Sequence, residues 1–288
     1  MSAKVYFSRT ITPEKVLELY KLAGKEVTGN VAVKVHSGEK GNQNFITPDF
    51  WQPMIEHVKG TVVECNTAYN GARNETKKHQ ELMAYHRWIE YFAVDILDGE
   101  GPDLAIPVAN PVRIDKNYVG KNMAEYDSML VLSHFKGHPM GGYGGALKQI
   151  SIGTASSFGK AWIHGAGEPE KIWTQDHDMF LESMADAAGS VIDFFHGNLV
   201  YVNVIKNLSV DCDCCAVAED PCMGDIGICV STDPCAVDQA CIDMIYASED
   251  PGKAKLIERI ESRNGTYTIK VAADKGIGSM EYELIEVE

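Results

Sequence analysis

Several features are missing from this 288-residue chain, and each absence closes off a class of function. Runs of five or more basic residues, the footprint of a nucleic-acid or anionic-membrane surface, do not occur, and the formal net charge is −15. No apolar stretch approaches the ~18 residues of a membrane span. The opening residues, Met1 to Ser8, resemble a first strand and lack the apolar run of a signal peptide, so a cytoplasmic protein with no nucleic-acid or membrane partner is expected. The glycine-rich segment "GGYGG" at 141–145 matches neither G-x-x-x-x-G-K-[ST] nor G-x-G-x-x-G, the two loops that cradle phosphates. The ferredoxin run C-x-x-C-x-x-C-x-x-x-C-P is also absent, so no self-contained cluster domain is encoded. Repeats, low-complexity segments and linkers are lacking too. With 45% hydrophobic and 23% charged residues, the composition is that of a soluble globular chain long enough to bury a full core.

What is there alternates. Val5 to Phe7 is a strand, followed by Thr12 as N-cap, Pro13 at the first helical position and Gly24 as the stop. Val31–His36 and Thr61–Cys65 are strands, with a helix between them from Pro48 to His57 in which Pro53 is an irregularity. A further helix is predicted over Asn74–Trp88, and short strands over Ala93–Leu97 and Leu104–Val108. Ser128–His134, Leu199–Ile205 and Ile226–Val230 are strands. Phe180, Met184, Ala187, Val191 and Phe195 make one apolar stripe of a helix over Asp176–His196. Helices follow from Asp233 to Tyr246 and from Lys253 to Arg263, and Thr266–Val271 and Tyr282–Val287 are predicted as closing strands. Strand–helix alternation predicts an α/β fold with a mostly parallel sheet flanked by helices, in one large domain over 1–288 with room for a two-lobed arrangement and closing strands within 266–288.

The unusual polar residues gather where strands end, and open α/β sheets bind ligands beyond the carboxyl ends of their strands. One end carries Lys34 and His36, then "SGEKGNQNF". A second carries "CNTAYNGAR", with Asn66, Thr67, Tyr69 and Arg73. A third carries "SHFKGHPMGGYGGALK", with His134, Lys136, His138 and Lys148. The fourth reaches Asp211, Cys212, Asp213 and Cys214 after "YVNVIKNLSV". A lone Lys or His at such a place is commonly a solvated or hydrogen-bonded structural residue. Four such ends together predict a shared pocket, in which Lys34, Arg73 and Lys136 would hold an anionic substrate or cofactor.

The chain has 8 cysteines, and Cys212, Cys214, Cys215 and Cys222 fall close together. Without an export signal they are expected as thiols or ligands rather than disulfides. Thiolates suit zinc, copper(I) and iron–sulfur clusters. A closed zinc site normally takes a second C-x-x-C, and Cys222 and Cys229 stand too far apart to supply one. A thioredoxin-type couple places a helix N-terminus after the first Cys, whereas Asp211 and Asp213 would raise the pKa of Cys212 instead. Three readings stay open: metal or cluster ligation by Cys212 and Cys214 with Cys215 or Cys222 helping, packed or catalytic thiols, or a redox pair. Cys241 lies on an apolar helix stripe and is expected in the core. Cys235 sits in the first turn of that helix, where a buried thiol is the commoner state.

"VAVKVHSGEKGNQNFITPDF", "CNTAYNGARNETKKH", "SHFKGHPMGGYGGALKQISIG" and "DCDC…DIGICVSTDPCAVDQA" together resemble, over most of residues 1–250, a family of unknown function found in iron–sulfur proteins. Its members often carry a ferredoxin module behind this domain. The resemblance implies an iron–sulfur cluster or another transition metal, here resting on the residues around Cys212 and Cys214, and a separate ferredoxin-like partner. His138, Lys148 and His164, ten and sixteen positions apart, are similar to the His, Lys, His series of nickel-pincer lactate racemases. That similarity implies Lys148 as cofactor tether, His164 as nickel ligand and His138 as proton carrier.

The candidates for catalysis are therefore His134, Lys136 and His138. Those for holding a cofactor or small anionic substrate are Lys34, His36, Asn66, Tyr69, Arg73, Lys148 and His164, and those for metal are Asp211, Cys212, Asp213, Cys214 and Cys215. The expected function is a metal- or cofactor-binding pocket at the strand C-termini of an iron–sulfur-associated protein. One alternative is a hydroxy-acid racemase or epimerase with a lysine-tethered nickel cofactor. The other is a non-enzymatic carrier of metal or cluster.

Overall fold

The computed structural model describes residues 2–288. Its centre is explained by two strands, β7 (Ser128–His134) and β10 (Leu199–Ile205), every residue of which is buried. Successive side chains of a strand point to opposite faces, so a strand that is apolar throughout serves two cores. Met129 and Val131 of β7, with Leu199 and Tyr201 of β10, enter one core. Leu130, Leu132, Val200 and Val202 enter the other.

The chain begins with β1 (Ala3–Ser8), α1 (Pro13–Leu22), β2 (Val31–Lys34), α2 (Pro48–Val58), β3 (Thr61–Glu64), α3 (Thr76–Tyr85), α4 (Trp88–Tyr91) and β4 (Val94–Ile96). A hairpin of β5 (Leu104–Pro107) and β6 (Lys116–Val119) precedes β7, and a second, β8 (Lys136–His138) with β9 (Gly142–Gly144), follows it. Then come α5 (Ala146–Ser151), α6 (Ser157–His164), α7 (His177–Phe194), β10, β11 (Gly227–Ser231), α8 (Pro234–Ala247), α9 (Lys253–Ser262), α10 (Tyr267–Asp274) and β12 (Tyr282–Glu286). The eight-stranded sheet runs β12-β1-β11-β10-β7-β2-β3-β4, and β11 alone pairs antiparallel with both its neighbours. Residues of α1 to α4 pack on one face of the sheet. Those of α5 and α7 to α10 pack on the other. The fold is α/β with a mostly parallel sheet, as expected.

Among the described residues no helix is long and apolar enough to cross a membrane. Thr266–Val271, predicted as a strand from its β-branched residues, is instead the start of α10, whose Ile269 and Ala272 are fully buried. Packing overrode a weak local preference. The predicted helix over Asn74–Trp88 ends at Tyr85, because Arg87 adopts φ 67°, and a new short helix then begins.

Candidate functional site

From β2 the chain moves through β3 to β4 at one edge, then returns to place β7 on the other side of β2 and β10 beyond it. The C-terminal ends of β2 and β7 lie where the direction of winding reverses, the position at which open α/β sheets hold ligands. A cavity of about 340 Å³ opens there. Lys34 and His36 reach it from β2, and Tyr69 and Arg73 from the segment after β3. His138 comes from β8, Lys148 from α5, His164 from α6 and Cys214 from the loop after β10. Met140, Ile152, Ile172 and Trp173 supply apolar wall.

The loop after β2 fastens the cysteine loop beside this cavity. Glu39 N–H donates to the Asp213 carbonyl at 2.8 Å, and the Asn42 amide donates to the Cys215 carbonyl at 2.9 Å. Asn44 reaches the Glu219 carbonyl at 2.9 Å. On the other flank, Gly137 N–H donates to the Ser209 carbonyl at 2.8 Å. A Cβ at Gly137 would lie 2.4 Å from the Val210 carbonyl oxygen, so only glycine lets β8 come this close.

Cys212 is fully buried, and its sulfur, that of Cys214 and one ring nitrogen of His138 lie within 4.8 Å of one another. Lys148 Nζ sits 3.6 Å from the Cys212 sulfur, and Cys214 N–H points at it from 3.4 Å. Burial alone would push the Cys212 thiol up. The hydrogen bond with Cys214 and the charges of Lys148 and Lys136 outweigh it and hold Cys212 well below the usual thiol range, as a thiolate. Cys214, half-buried and hydrogen-bonded to Cys212 and Cys215, is pushed well above it and keeps its proton.

The expectation that Asp211 and Asp213 would raise Cys212 is corrected by where those carboxylates go. Asp213 is 2.9 Å from His134 Nδ1 and 2.9 Å from Lys136 Nζ, and Asp211 is 3.3 Å from Arg259. Burial would raise Asp213, but His134 and Lys136 hold it below the usual carboxylate range.

Hydrogen-bond partners sort the imidazoles. His138 Nδ1 accepts from the N–H groups of Met140 at 3.2 Å and Gly141 at 2.8 Å, so in the neutral ring the proton sits on Nε2. His36 Nδ1 accepts from Gly38 N–H at 3.1 Å, with the same result. The Cys212 sulfur, within 4.8 Å of a His138 ring nitrogen, favours the protonated form of both rings, against their burial. His164 is opposite: Nδ1 lies 2.7 Å from the Lys160 carbonyl, so it carries the hydrogen and Nε2 keeps a lone pair. Burial, then the Lys148 charge, pulls His138 down to about 4. Burial also pulls His164 down to about 4. His134 is not in the larger cavity; its Nδ1 faces Asp213 and its Nε2 the Lys206 carbonyl at 2.6 Å, and with Lys136 it lines a small adjoining void.

Most of the cations are already paired. Lys34 Nζ is 2.7 Å from Glu64, which also accepts from Ser37 N–H at 2.8 Å and its hydroxyl at 3.0 Å. Burial would raise the Glu64 carboxyl, but Lys34 leads a set of positive neighbours that hold it well below the usual range. Arg73 is 3.2 Å from Glu39 and donates to Tyr69 Oη at 3.1 Å. Lys160, on α6, is 8% exposed and donates to the Ala155 carbonyl at 2.5 Å.

Besides His134 and Lys136, the candidates that do not line the larger cavity are Cys212 and Asp213, buried beside it, and Asn66, Asp211 and Cys215. Asn66 bridges Thr76 and His79, Asp211 pairs with Arg259, and Cys215 closes a turn onto the Cys212 carbonyl at 2.9 Å. Sequence reasoning missed Glu64, Cys65, Gln149 and Lys160, all of which line the cavity. Glu64 had a signal, a carboxylate closing the apolar strand "TVVE". Lys160 had none.

A metal ion has a fit here at the two sulfurs, since cysteine sulfurs, deprotonated on binding, suit soft and borderline ions. His138 fits less well. A ligating imidazole normally donates its other N–H to an acceptor, whereas His138 Nδ1 faces two donors.

Among solved structures the chain is similar to the lactate racemase apoprotein from Thermoanaerobacterium thermosaccharolyticum, at 14% identity and TM-score 0.44, over 70% of this chain and 50% of that one. It is also similar to a structural-genomics protein from Thermotoga maritima, at 12% identity and TM-score 0.43, over 91% of this chain and 59% of that one. The chain thus spans 50% of the length of the first and 59% of the second, and at these identities the likeness carries nothing about chemistry. No curated protein matches it. Residues 31–243, which run from β2 into α8 and include every strand end that meets at the cavity, match the family described as Domain of unknown function (DUF362), and the chain belongs to that family.

Proposed function

We propose that this protein binds a small anionic organic molecule, as substrate or cofactor, beside a transition-metal ion or cluster held by Cys212 and Cys214. The observation that carries the reading is the pair of sulfurs within 4.8 Å of each other and of a His138 nitrogen, at the wall of a cavity that Lys34, Arg73, Lys148 and Lys160 surround. A bound metal would supply Lewis-acid or electron-transfer chemistry next to the ligand. The protein's own part is to keep Cys212 deprotonated through Lys148, to set the His138 imidazole beside its sulfur, and to exclude water with Met140, Ile152 and Trp173. The iron–sulfur association implied by the sequence resemblance, and a ferredoxin-like partner with it, belong to this proposal. Metal analysis of anaerobically purified protein tests it: iron, zinc or nickel is expected in wild type and lost in Cys212→Ser/Cys214→Ser. Equal, background content in both sinks the claim. Labile metal that passes to an apo-protein, without turnover of small acids, would mark a carrier.

A second reading is a hydroxy-acid racemase or epimerase with a nickel cofactor tethered to lysine. It is favoured by one arrangement: His138, Lys148 and His164 line the same cavity, and His164 keeps a free Nε2 lone pair. Intact mass spectrometry of protein from its native host separates the two readings. An unmodified mass, unchanged in Lys148→Ala beyond the substitution itself, excludes a tether.

A further inference from the structure

We propose that the ligand of this cavity is a small monocarboxylate and that Lys160 binds its carboxylate group. This rests on the reading above that the cavity holds a small ligand, and it adds the ligand's class and anchor. The charges around the cavity leave one place unfilled. Lys34 is answered by Glu64 at 2.7 Å and Arg73 by Glu39 at 3.2 Å, and the Lys148 ammonium sits on the Cys212 sulfur at 3.6 Å. Among the described residues Lys160 has no carboxylate within 4.0 Å, and its Nζ donates to one backbone carbonyl. The side chain belongs to a residue more than nine-tenths buried, and it lines the cavity. A buried ammonium without a counter-charge destabilises a fold, and a chain of net charge −15 has carboxylates in excess to supply one. That none does so leaves the position to an anion from outside.

The anion carries a single charge and is not a phosphate. Phosphate sites use free backbone N–H groups at helix N-termini. The helices that bear Lys148 and Lys160 have two of theirs each occupied. At α5, Ala146 N–H and Leu147 N–H donate to Asp238 at 2.7 and 3.0 Å. At α6, Ser157 N–H donates to Asp98 at 2.8 Å and Gly159 N–H to the Ser156 hydroxyl at 2.9 Å. One unanswered ammonium and no free amide row suit a carboxylate. Met140, Ile152, Ile172 and Trp173 give its carbon body an apolar wall, and Trp173, 62% exposed, stands at the mouth.

The test is titration calorimetry and thermal shift on wild type, Lys160→Met and Lys160→Arg. The probes are a panel of short-chain and aromatic monocarboxylates, their primary amides, and inorganic phosphate. At least one carboxylate is expected to bind, with its amide weaker by about tenfold or more, since the charge-assisted hydrogen bond is lost. Lys160→Met should lose binding by a similar factor and Lys160→Arg should keep part of it. Without ligand, Lys160→Met should unfold at higher denaturant than wild type, because the unanswered charge is gone. The proposal is overturned if no panel carboxylate binds, if amides bind as well, if phosphate is preferred, or if Lys160→Met binds like wild type. Metal content measured on the same samples separates the failures: carboxylate binding by a metal-free protein keeps this inference and removes the metal reading.

Discussion

Replacing Glu64 with Gln tests how the floor of the site is held. The Lys34–Glu64 pair is 2.7 Å long, with side chains 1% and 4% exposed. Gln keeps an oxygen for the Ser37 N–H and hydroxyl, so the change falls almost wholly on Lys34. At an effective dielectric of ~20 the attraction is about 6 kcal/mol, and removing one partner of a buried pair typically costs about 3–5 kcal/mol. A loss of about 3–5 kcal/mol in urea unfolding at pH 7, followed by circular dichroism, is therefore expected. The pH dependence has a definite sign. Burial lowers the Lys34 pKa in the folded protein while Glu64 pulls it back up, so the variant lowers it further. Between that folded value and ~10.4 the unfolded chain binds the extra proton, so stability of Glu64→Gln climbs with pH, by up to about 1.4 kcal/mol per pH unit. Its deficit against wild type narrows toward pH 10. Lys34→Met/Glu64→Gln should recover most of the loss, because no buried charge is left alone. A single variant within about 1 kcal/mol of wild type, or a double variant no better than the single, would refute the argument.

Other outcomes follow from the same geometry. In metal-free protein, nitrogen NMR of the imidazoles should find His36 and His138 protonated on Nε2 and His164 on Nδ1, with neither His138 nor His164 titrating between pH 6 and 8, since burial takes both to about 4. Gly137→Ala places a Cβ 2.4 Å from the Val210 carbonyl, backbone that cannot yield cheaply; a loss of about 1–3 kcal/mol in urea unfolding is expected, and a neutral result would mean that β8 does not bear on the cysteine loop. Differential alkylation at pH 7 should modify the Cys212–Cys214 pair well before Cys65, which lines the same cavity but whose thiol is pushed far up by burial; equal rates would show that no thiolate is present.

The sequence made the strands legible because each central strand is apolar on both faces, and it made the strand ends legible because polar side chains crowd there. Pairing was not legible. That Asp213 turns to His134 and Lys136 depends on the parallel register of β7 and β10, with His134 opposite Val204, and no spacing along the chain encodes it. The predicted role of Lys34, Lys136 and Arg73 in holding an anion depended on their being free, and each has a carboxylate partner. Lys160, which has none among the described residues, is a single lysine in the helical stretch "SFGKAWIH", where it looks like a surface residue. The helix α10 was misjudged because "TYTIKV" favours a strand locally, while burial of Ile269 and Ala272 against the rest of the core decides for a helix.

The charge state of Cys212 is itself set from a distance. Lys148, the first charge among those that hold the thiolate, stands in the first turn of the six-residue helix α5. Such a short helix is marginal without outside support. Its support is Asp238 of α8, which accepts from Ala146 and Leu147 N–H at 2.7 and 3.0 Å and is held by Tyr143 and by Asn203 at 2.7 Å. Gly145 is required there, since a Cβ would lie 2.4 Å from the Asp238 carboxylate. Asp238→Ala removes these acceptors without touching the cavity wall. If α5 then frays, Lys148 retreats from the sulfur, and the pH at which the Cys212–Cys214 pair becomes reactive to alkylation rises. Lys148→Met should raise it as well, and the two changes combined should do little more than Lys148→Met alone, because they act through one ammonium. Full additivity, or an unchanged profile in Asp238→Ala, would mean that Asp238 does not act through Lys148; an unchanged profile in Lys148→Met would mean that the thiolate owes its charge to Lys136 and the Cys214 hydrogen bond instead.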